Sequence, residues 1–170
     1  MYKRQQLGRA AHEWVLANIP KGARILEFGA GDGTKDRARM YDVTAIEHNE
    51  AYLTDEYTCI FAPIVENEES LLRDEKGWYD ATALEFLKMQ TFDLLIIDGP
   101  PGEIGRNGIL AHPWVLKSSS SILIDDTHRG AEQYLAQAVL DRMDDANLII
   151  LSEESEWGTR ETTIISEVNK

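Results

Sequence analysis

Three glycines at alternate positions follow an apolar segment near the start of the chain. The segment spans residues 24–28 with Glu27 near its end, and the glycines are Gly29, Gly31 and Gly33. Glycine adopts the positive φ angles of tight turns at little cost, and its missing side chain lets a ligand lie against the backbone. A dinucleotide fingerprint that begins at Gly29 needs a third glycine where Thr34 stands. The loop therefore predicts a nucleotide-like cofactor and disfavours a nicotinamide dinucleotide.

A second acid stands at the end of the next apolar segment. Glu47 follows residues 43–46 and lies 20 residues after Glu27. A ribose diol needs an acceptor with two oxygens about one strand-helix-strand unit from the glycine loop, and a carboxylate supplies it. We therefore expect Glu47 to bind a ribose and His48 to frame the same cofactor. The alternative is that the glycines only form a turn and Glu47 is a solvated acid at a strand end.

Three further acids follow two strongly apolar segments in the second half of the chain. They are Asp98, after residues 94–97, and the pair Asp125 and Asp126, after residues 121–124. Ligands of open α/β sheets bind beyond the carboxyl ends of the strands, and a charge is costly to bury without a partner. We expect these acids to share one rim. Two simpler roles stay open, namely Asp126 as a helix cap and Asp98 as the organiser of the turn at 99–102.

Basic side chains lie close to these acids in the sequence. An imidazole accepts a proton near neutral pH, and guanidinium groups bind anions. His128 is therefore the candidate general base, with a surface position as the alternative, and Arg106 and Arg129 could hold an anionic substrate. His12 and His112 fall on predicted helices away from the rim, where we expect structural roles.

Short apolar segments alternate with helix-length segments, which predicts a doubly wound α/β fold with helices on both faces of a mostly parallel sheet. The inner strands are almost continuously hydrophobic, as in parallel strands buried on both faces. Seven strands are predicted, at 24–29, 43–47, 58–62, 92–98, 121–126, 147–152 and 161–168. Helices are predicted at 3–18, 35–40, 50–55, 80–90, 105–117 and 129–143. Residues 153–160 are too few for a crossover helix, so the last two strands should form an antiparallel hairpin.

Aromatic residues and one polar segment could complete a pocket above the sheet. Candidates for walling an acceptor site are Trp78, Tyr79, Trp114 and Trp157. A core position is the alternative for Trp114, and Trp157 is expected to be exposed because it falls in the hairpin loop. The polar and mixed segment at 65–91 is predicted to be a mobile cover over the cofactor.

The pattern E-x-G-x-G-x-G from Glu27 to Gly33, followed by Glu47, resembles the motifs of class I S-adenosylmethionine-dependent methyltransferases. The resemblance covers the chain from residue 20 to the end, including the terminal hairpin. It implies a Rossmann-like fold in which the glycine loop passes under the methionine half of the cofactor. The residues that it assigns to S-adenosylmethionine are Glu27, Gly29, Gly31, Gly33, Glu47, His48 and Asp98.

The acids of the second half resemble those of the metal-dependent O-methyltransferases, which bind Mg²⁺ at these strand ends. By position, Asp98, Asp125 and Asp126 would be the metal ligands, an all-oxygen set that suits this ion. Asp126 stands where that family has an asparagine. We expect catalytic roles for Asp98 and Asp125, which this resemblance places at the acceptor site, and for His128, the candidate base. The turn after Asp98 lacks the aromatic residue of the Asp-Pro-Pro-aromatic motif of amino-group methyltransferases, so we expect oxygen to be the acceptor atom.

Length and charge limit the remaining choices. The 170 residues fit one domain, with residues 1–20 as an N-terminal helical segment that packs on the sheet. The net charge of −13, from 30 acidic and 17 basic residues, disfavours nucleic acid and anionic membranes as partners. The amino terminus lacks the apolar core of a signal peptide, and we expect a cytoplasmic protein. The single cysteine, Cys59, excludes an intrachain disulfide.

Together these features predict a methyltransferase that uses S-adenosylmethionine, with Mg²⁺ as a further candidate cofactor. The expected reaction is O-methylation of a small molecule or saccharide. The alternative is a non-catalytic binding module of the same fold that acts through a protein partner. A homodimer stays open.

Overall fold

A computed structural model describes residues 7–66 and 74–168 of the chain. Nine strands are present in these residues: β1 (Arg24–Phe28), β2 (Asp42–Glu47), β3 (Thr58–Phe61), β4 (Ile64–Val65), β5 (Trp78–Tyr79), β6 (Leu94–Ile97), β7 (Ser121–Ile124), β8 (Ala146–Ser155) and β9 (Gly158–Glu167). The α-helices are α1 (Arg9–Asn18), α2 (Asp32–Ala38), α3 (Pro113–Leu116) and α4 (Gly130–Leu140). Shorter 3₁₀ segments span Glu50–Tyr52, Ala81–Met89 and Asn107–Ala111.

The main sheet has seven strands in the order β3-β2-β1-β6-β7-β9-β8. The first five of these are parallel to their neighbours, whereas β9 runs antiparallel between β7 and β8. The predicted doubly wound sheet with a terminal antiparallel hairpin is confirmed. The order reverses at β1 and β6, so the loops after these two strands diverge and leave a crevice at the carboxyl ends.

Alternate side chains of the buried strands form two hydrophobic clusters, one on each face of the sheet. On one face, Ile25 and Val43 pack against Ala11 and Val15 of α1. On the other face, strand residues pack against side chains of α3 and α4, including Val115, Leu135 and Val139. Helices therefore cover both faces, as the near-continuous apolar strands predict.

Several predicted helices are shorter in the structure. Residues 50–55 give only the 3₁₀ turn Glu50–Tyr52, and the prediction at 105–117 divides into Asn107–Ala111 and α3. The division falls at Pro113, which has no N–H to donate and therefore begins a helix rather than continuing one. α1 begins at Arg9, and the first residues of the predicted helix lie outside the described part of the chain.

The prediction of a mobile cover at 65–91 is wrong for residues 78–89. Trp78 and Tyr79 form β5, which pairs with β4 in a two-stranded sheet, and Leu84 and Leu87 are buried in the core. Apolar side chains of this segment belong to the hydrophobic core. Their burial holds the segment in place although its overall composition is polar. Residues 67–73 lie outside the described residues.

Over residues 7–66 and 74–168, none of the helices combines the length and the apolar character needed to cross a bilayer.

Candidate functional site

A cleft of about 990 Å³ opens at the carboxyl ends of the parallel strands. Its walls come from the loops after β1, β2, β6 and β7, and from the β8–β9 hairpin. Lining residues that the sequence singles out are Gly29, Glu47, His48, Asp98, Asp126 and His128. This is the position at which doubly wound sheets bind their ligands, because the loops part where the strand order reverses.

The loops after β1 and β6 lie in direct backbone contact at the bottom of this cleft. Gly29 has φ +94°, and a Cβ built there would lie 3.1 Å from the Gly99 nitrogen. A Cβ at Gly99 would lie 2.8 Å from the Gly29 Cα. Both positions require glycine, since any side chain would force the two loops apart. Gly31 and Gly33 lie behind this contact, where Gly31 precedes α2 and Gly33 is buried in its first turn.

Glu27 is buried beneath the glycine loop and faces the protein. Its carboxylate forms an ion pair with Arg37 and accepts a hydrogen bond of 2.9 Å from the Thr34 hydroxyl. The same hydroxyl accepts the Gly31 N–H at 3.0 Å. Thr34 occupies the position at which a dinucleotide fingerprint has its third glycine. Its hydroxyl connects the loop to Glu27. These contacts hold α2 and the loop in place, and no local sequence pattern marks Arg37 for this role.

Glu47 is also buried, but it lies in the wall of the cleft. Its Oε1 accepts the N–H groups of His48 at 2.8 Å and Asn49 at 2.7 Å, and its Oε2 accepts the N–H of Ala30 at 2.9 Å. The carboxylate thus joins the loops after β1 and β2. Because each carboxylate oxygen can accept two hydrogen bonds, Oε2 keeps an acceptor position. The Nδ1 of His48 lies 3.0 Å from Glu47 Oε1.

The three aspartates of the second half come together, as the sequence predicts. One oxygen from each of Asp98, Asp125 and Asp126 lies within 4.8 Å of the other two. Arg160, from β9, pairs with Asp125 and also places its Nε 3.3 Å from Asp126 Oδ1. Arg129 Nη1 lies 3.1 Å from Asp126 Oδ2. Guanidinium groups from two separate elements therefore contact the acids that the sequence assigns to a metal.

The donor set in this arrangement does not fit Mg²⁺. Asp125 is fully buried, and its two oxygens accept hydrogen bonds from Arg160 and from Thr162, the latter at 2.8 Å. Mg²⁺ demands near-octahedral coordination at about 2.0–2.1 Å, and it would have to displace positive charges already on these oxygens. The predicted metal ligands are thus neighbours, but arginines neutralise them.

Arg106 has a different role from the predicted one. Its side chain is buried and donates to the backbone carbonyls of Pro100 at 3.1 Å, Asp125 at 3.0 Å and Asp98 at 2.9 Å. It therefore fixes the loops after β6 and β7, and the prediction that it holds an anionic substrate is wrong. A guanidinium is well suited to this because its donors fan out in a fixed plane.

The surroundings of Asp98 shift the pKa of its carboxyl group. Burial and then the negative charge of Asp125 raise its pKa well above the ordinary 3.8, and Arg106 opposes the shift. A carboxylate with a raised pKa is a better proton acceptor than an ordinary one. Because Asp98 also lines the cleft, it is the strongest candidate for a general base.

His128 lies exposed at the mouth of the cleft. Its Nδ1 accepts the N–H of Glu161 at 3.4 Å, which in a neutral imidazole places the ring proton on Nε2. In that tautomer Nε2 donates a hydrogen bond rather than accepting a proton. Asp126 has φ +60° and its side chain contacts arginines, so it does not cap α4, which begins at Gly130.

The aromatic candidates divide between the core and the surface. Trp78 is buried and stacks on Phe28 with ring centroids 5.5 Å apart, so the prediction that it walls a pocket is wrong. Trp114 packs partly buried against the core. Trp157 is 78 % exposed at the hairpin tip and lines the cleft, as expected from its place in the loop.

Solved structures share this architecture across nearly the whole chain. The O-methyltransferase TomG from Streptomyces achromogenes, in complex with S-adenosylmethionine, is 15% identical with TM-score 0.60, over 98% of this chain and 83% of that one. A Bacillus cereus O-methyltransferase in complex with S-adenosylhomocysteine is 17% identical with TM-score 0.60, over 96% and 84%. A Streptococcus pneumoniae protein named as a tRNA (m1A22) methyltransferase is 12% identical with TM-score 0.57, over 100% and 73%.

No family model matches the sequence, and no curated protein matches it either. At these identities the structural likeness establishes the fold. The chain has the Rossmann-like class I methyltransferase fold, as the glycine loop and the terminal hairpin predict.

Proposed function

We propose that this chain is an S-adenosylmethionine-dependent methyltransferase that methylates an oxygen of a small molecule or saccharide without a bound metal. The observation that carries the proposal is the hydrogen bond from the Ala30 N–H to Glu47 Oε2. It joins the glycine loop to the acid on the next strand and so forms one wall of the cleft. Neighbours of the same fold hold S-adenosylmethionine or S-adenosylhomocysteine.

The cleft offers complementary groups for this cofactor. Glu47 would accept a hydrogen bond from a ribose hydroxyl, and Gly29 would let the methionine half lie against the backbone. When bound, S-adenosylmethionine supplies a methyl group on a positively charged sulfur. The buried carboxylate of Glu47, in the wall of the cleft, favours that charge.

The chain itself needs to hold the acceptor in line and remove its proton. An acceptor hydroxyl would be held with its oxygen in line with the methyl group of the cofactor, and Asp98 would take the proton of that hydroxyl. The raised pKa of Asp98 suits it to this transfer. His128 and Arg129 border the same cleft and would orient the acceptor by donating hydrogen bonds. Most of the rate enhancement would come from proximity.

The surroundings of the cleft favour a small acceptor. Trp157 presents an exposed aromatic face that suits a planar ring or a sugar. A net charge of −13 opposes binding of a polyanion, which argues against RNA although two structural neighbours carry RNA methyltransferase names.

A thermal-shift comparison with S-adenosylmethionine, S-adenosylhomocysteine and NAD tests the proposal. A ligand that binds only the folded state raises the melting temperature, and we expect the first two compounds to do so. Stabilisation by NAD alone would contradict the cofactor assignment. Binding without turnover of any hydroxyl acceptor would favour the non-catalytic binding module.

A further inference from the structure

Tyr79 is the last residue of β5, and its aromatic ring is buried in the hydrophobic core. The residue is 1% exposed, and its ring centroid lies 5.3 Å from that of Phe28. β5 pairs with β4 outside the main sheet, so this short ribbon brings the tyrosine in from the side. The aromatic ring therefore has an ordinary packing role, but its hydroxyl does not.

The Tyr79 hydroxyl reaches the bottom of the cleft. A Cβ built on Gly99 would lie 2.6 Å from Tyr79 Oη and 2.8 Å from the Gly29 Cα. The oxygen is thus at the meeting point of the loops after β1 and β6. Tyr79 lines the cleft together with Gly29, Gly99 and Glu47.

This hydroxyl is buried without a hydrogen-bond partner among residues 7–66 and 74–168. An unpaired buried polar group destabilises the folded state, so a tyrosine here is worse for the fold than a phenylalanine would be. Burial and the nearby Glu47 raise the pKa of Tyr79 well above 10, so the phenol carries its proton at neutral pH. It is therefore a hydrogen-bond donor, and it lies beside the cleft that Tyr79 lines.

We propose that the Tyr79 hydroxyl donates a hydrogen bond to the adenosyl cofactor, which makes Tyr79 a cofactor-binding residue. The inference rests on the proposed function, because the ligand is the one proposed for this cleft. It explains why an oxygen is retained where packing alone favours its absence. The ligand would supply the acceptor that the described residues do not.

Titration calorimetry with S-adenosylhomocysteine tests this in the Tyr79→Phe variant. The ring and its packing are kept, and only the oxygen is lost. We expect about tenfold weaker binding, the upper end of what one hydrogen bond contributes. We also expect the ligand-free variant to melt at the same or a higher temperature than the unmodified protein, because the unpaired hydroxyl is gone. Tyr134→Phe, on the exposed side of α4, is the matched control and should change neither quantity.

Two results separate this inference from the proposed function. If the unmodified protein binds S-adenosylhomocysteine and Tyr79→Phe binds it equally well, the inference is wrong and the proposed function stands. If the unmodified protein shows no binding, the proposed function is wrong and the inference falls with it. A lower melting temperature for ligand-free Tyr79→Phe with unchanged affinity would show that the hydroxyl serves the fold.

Discussion

The acids on the two halves of the cleft rim have different kinds of partner. On the rim from β1 and β2, Glu47 accepts N–H groups of the backbone, two of them from the residues that follow it directly. On the rim from β6 and β7, Asp125 and Asp126 pair with arginine side chains that come from β9 and from the residue before α4. The first rim is thus fixed by local backbone geometry, whereas the second depends on long side chains.

The two rims therefore differ in how firmly their acids are held in place. Backbone donors cannot move away without unfolding the loop, so the first rim is preorganised. The second rim is instead held by contacts between side chains that come from separate parts of the sequence. The cofactor is accordingly expected on the first rim and the acceptor near the second.

The largest expected effect concerns the ion pair beneath the first rim. Arg37→Met leaves Glu27 buried without its cation, and we expect a loss of about 3–5 kcal/mol in the free energy of unfolding. Both side chains of the pair are at most 3% exposed, so solvent screening is small. Urea denaturation measures the loss. Arg39→Met, which removes an exposed pair with Asp36, is the control and should cost under about 0.5 kcal/mol. Equal losses would show that the pair does not support the loop.

The arginines of the second rim give the next effect. Arg160→Gln removes a cation from Asp125 and Asp126 and should cost about 2–3 kcal/mol, less than a fully buried pair because Arg160 is partly exposed. We expect the variant to gain thermal stabilisation by Mg²⁺, whereas the unmodified protein should respond neither to Mg²⁺ nor to a chelator. Arg142→Gln, at an exposed position just after the end of α4, should gain nothing. Stabilisation of the unmodified protein by Mg²⁺ would restore the metal site that the sequence predicts.

A smaller effect is expected at Asp98. Its folded-state pKa is raised, so the folded protein holds this proton over a pH range in which the unfolded chain has lost it, and stability falls as the pH rises through that range. Asp98→Asn should therefore match the unmodified protein below the ordinary carboxyl pKa of 3.8. Above the raised pKa it should melt at a higher temperature than the unmodified protein.

The Asp98→Asn variant also tests the proposed role of Asp98 in methyl transfer. Removing the proton acceptor should abolish most of the methyl transfer while leaving the fold more stable. Asp144→Asn, at an exposed position, should change neither melting temperature nor activity. A melting temperature that does not depend on residue 98 at any pH would contradict the raised pKa.

The same contrast explains which parts of the molecule were predictable from the sequence. The glycine loop and Glu47 carry a local pattern, and the apolar strands fix the sheet, so both were predicted. The antiparallel hairpin followed from the short connection at 153–160. The role of Arg160 could not be found in this way, because it depends on β9 inserting between β7 and β8 and so bringing residue 160 beside residue 125.

Two other misses have the same origin. Trp78 and Tyr79 lie in a polar part of the sequence, and the pairing of β5 with β4 that buries them leaves no periodic signal in two residues. Arg37 looks like any charged residue of a short helix, and its burial depends on where Glu27 ends up beneath the loop. Long-range packing decides these positions, and single-sequence patterns do not record it.

The central claim is that Glu47 and the glycine loop together bind the adenosyl cofactor, and calorimetric titration of S-adenosylhomocysteine into Glu47→Ala tests it most directly. We expect affinity more than tenfold weaker than in the unmodified protein, because a hydroxyl acceptor and the bond that holds Ala30 are lost together. Glu50→Ala, an exposed acid on the following turn, should bind as the unmodified protein does. Unchanged affinity in Glu47→Ala would contradict the account.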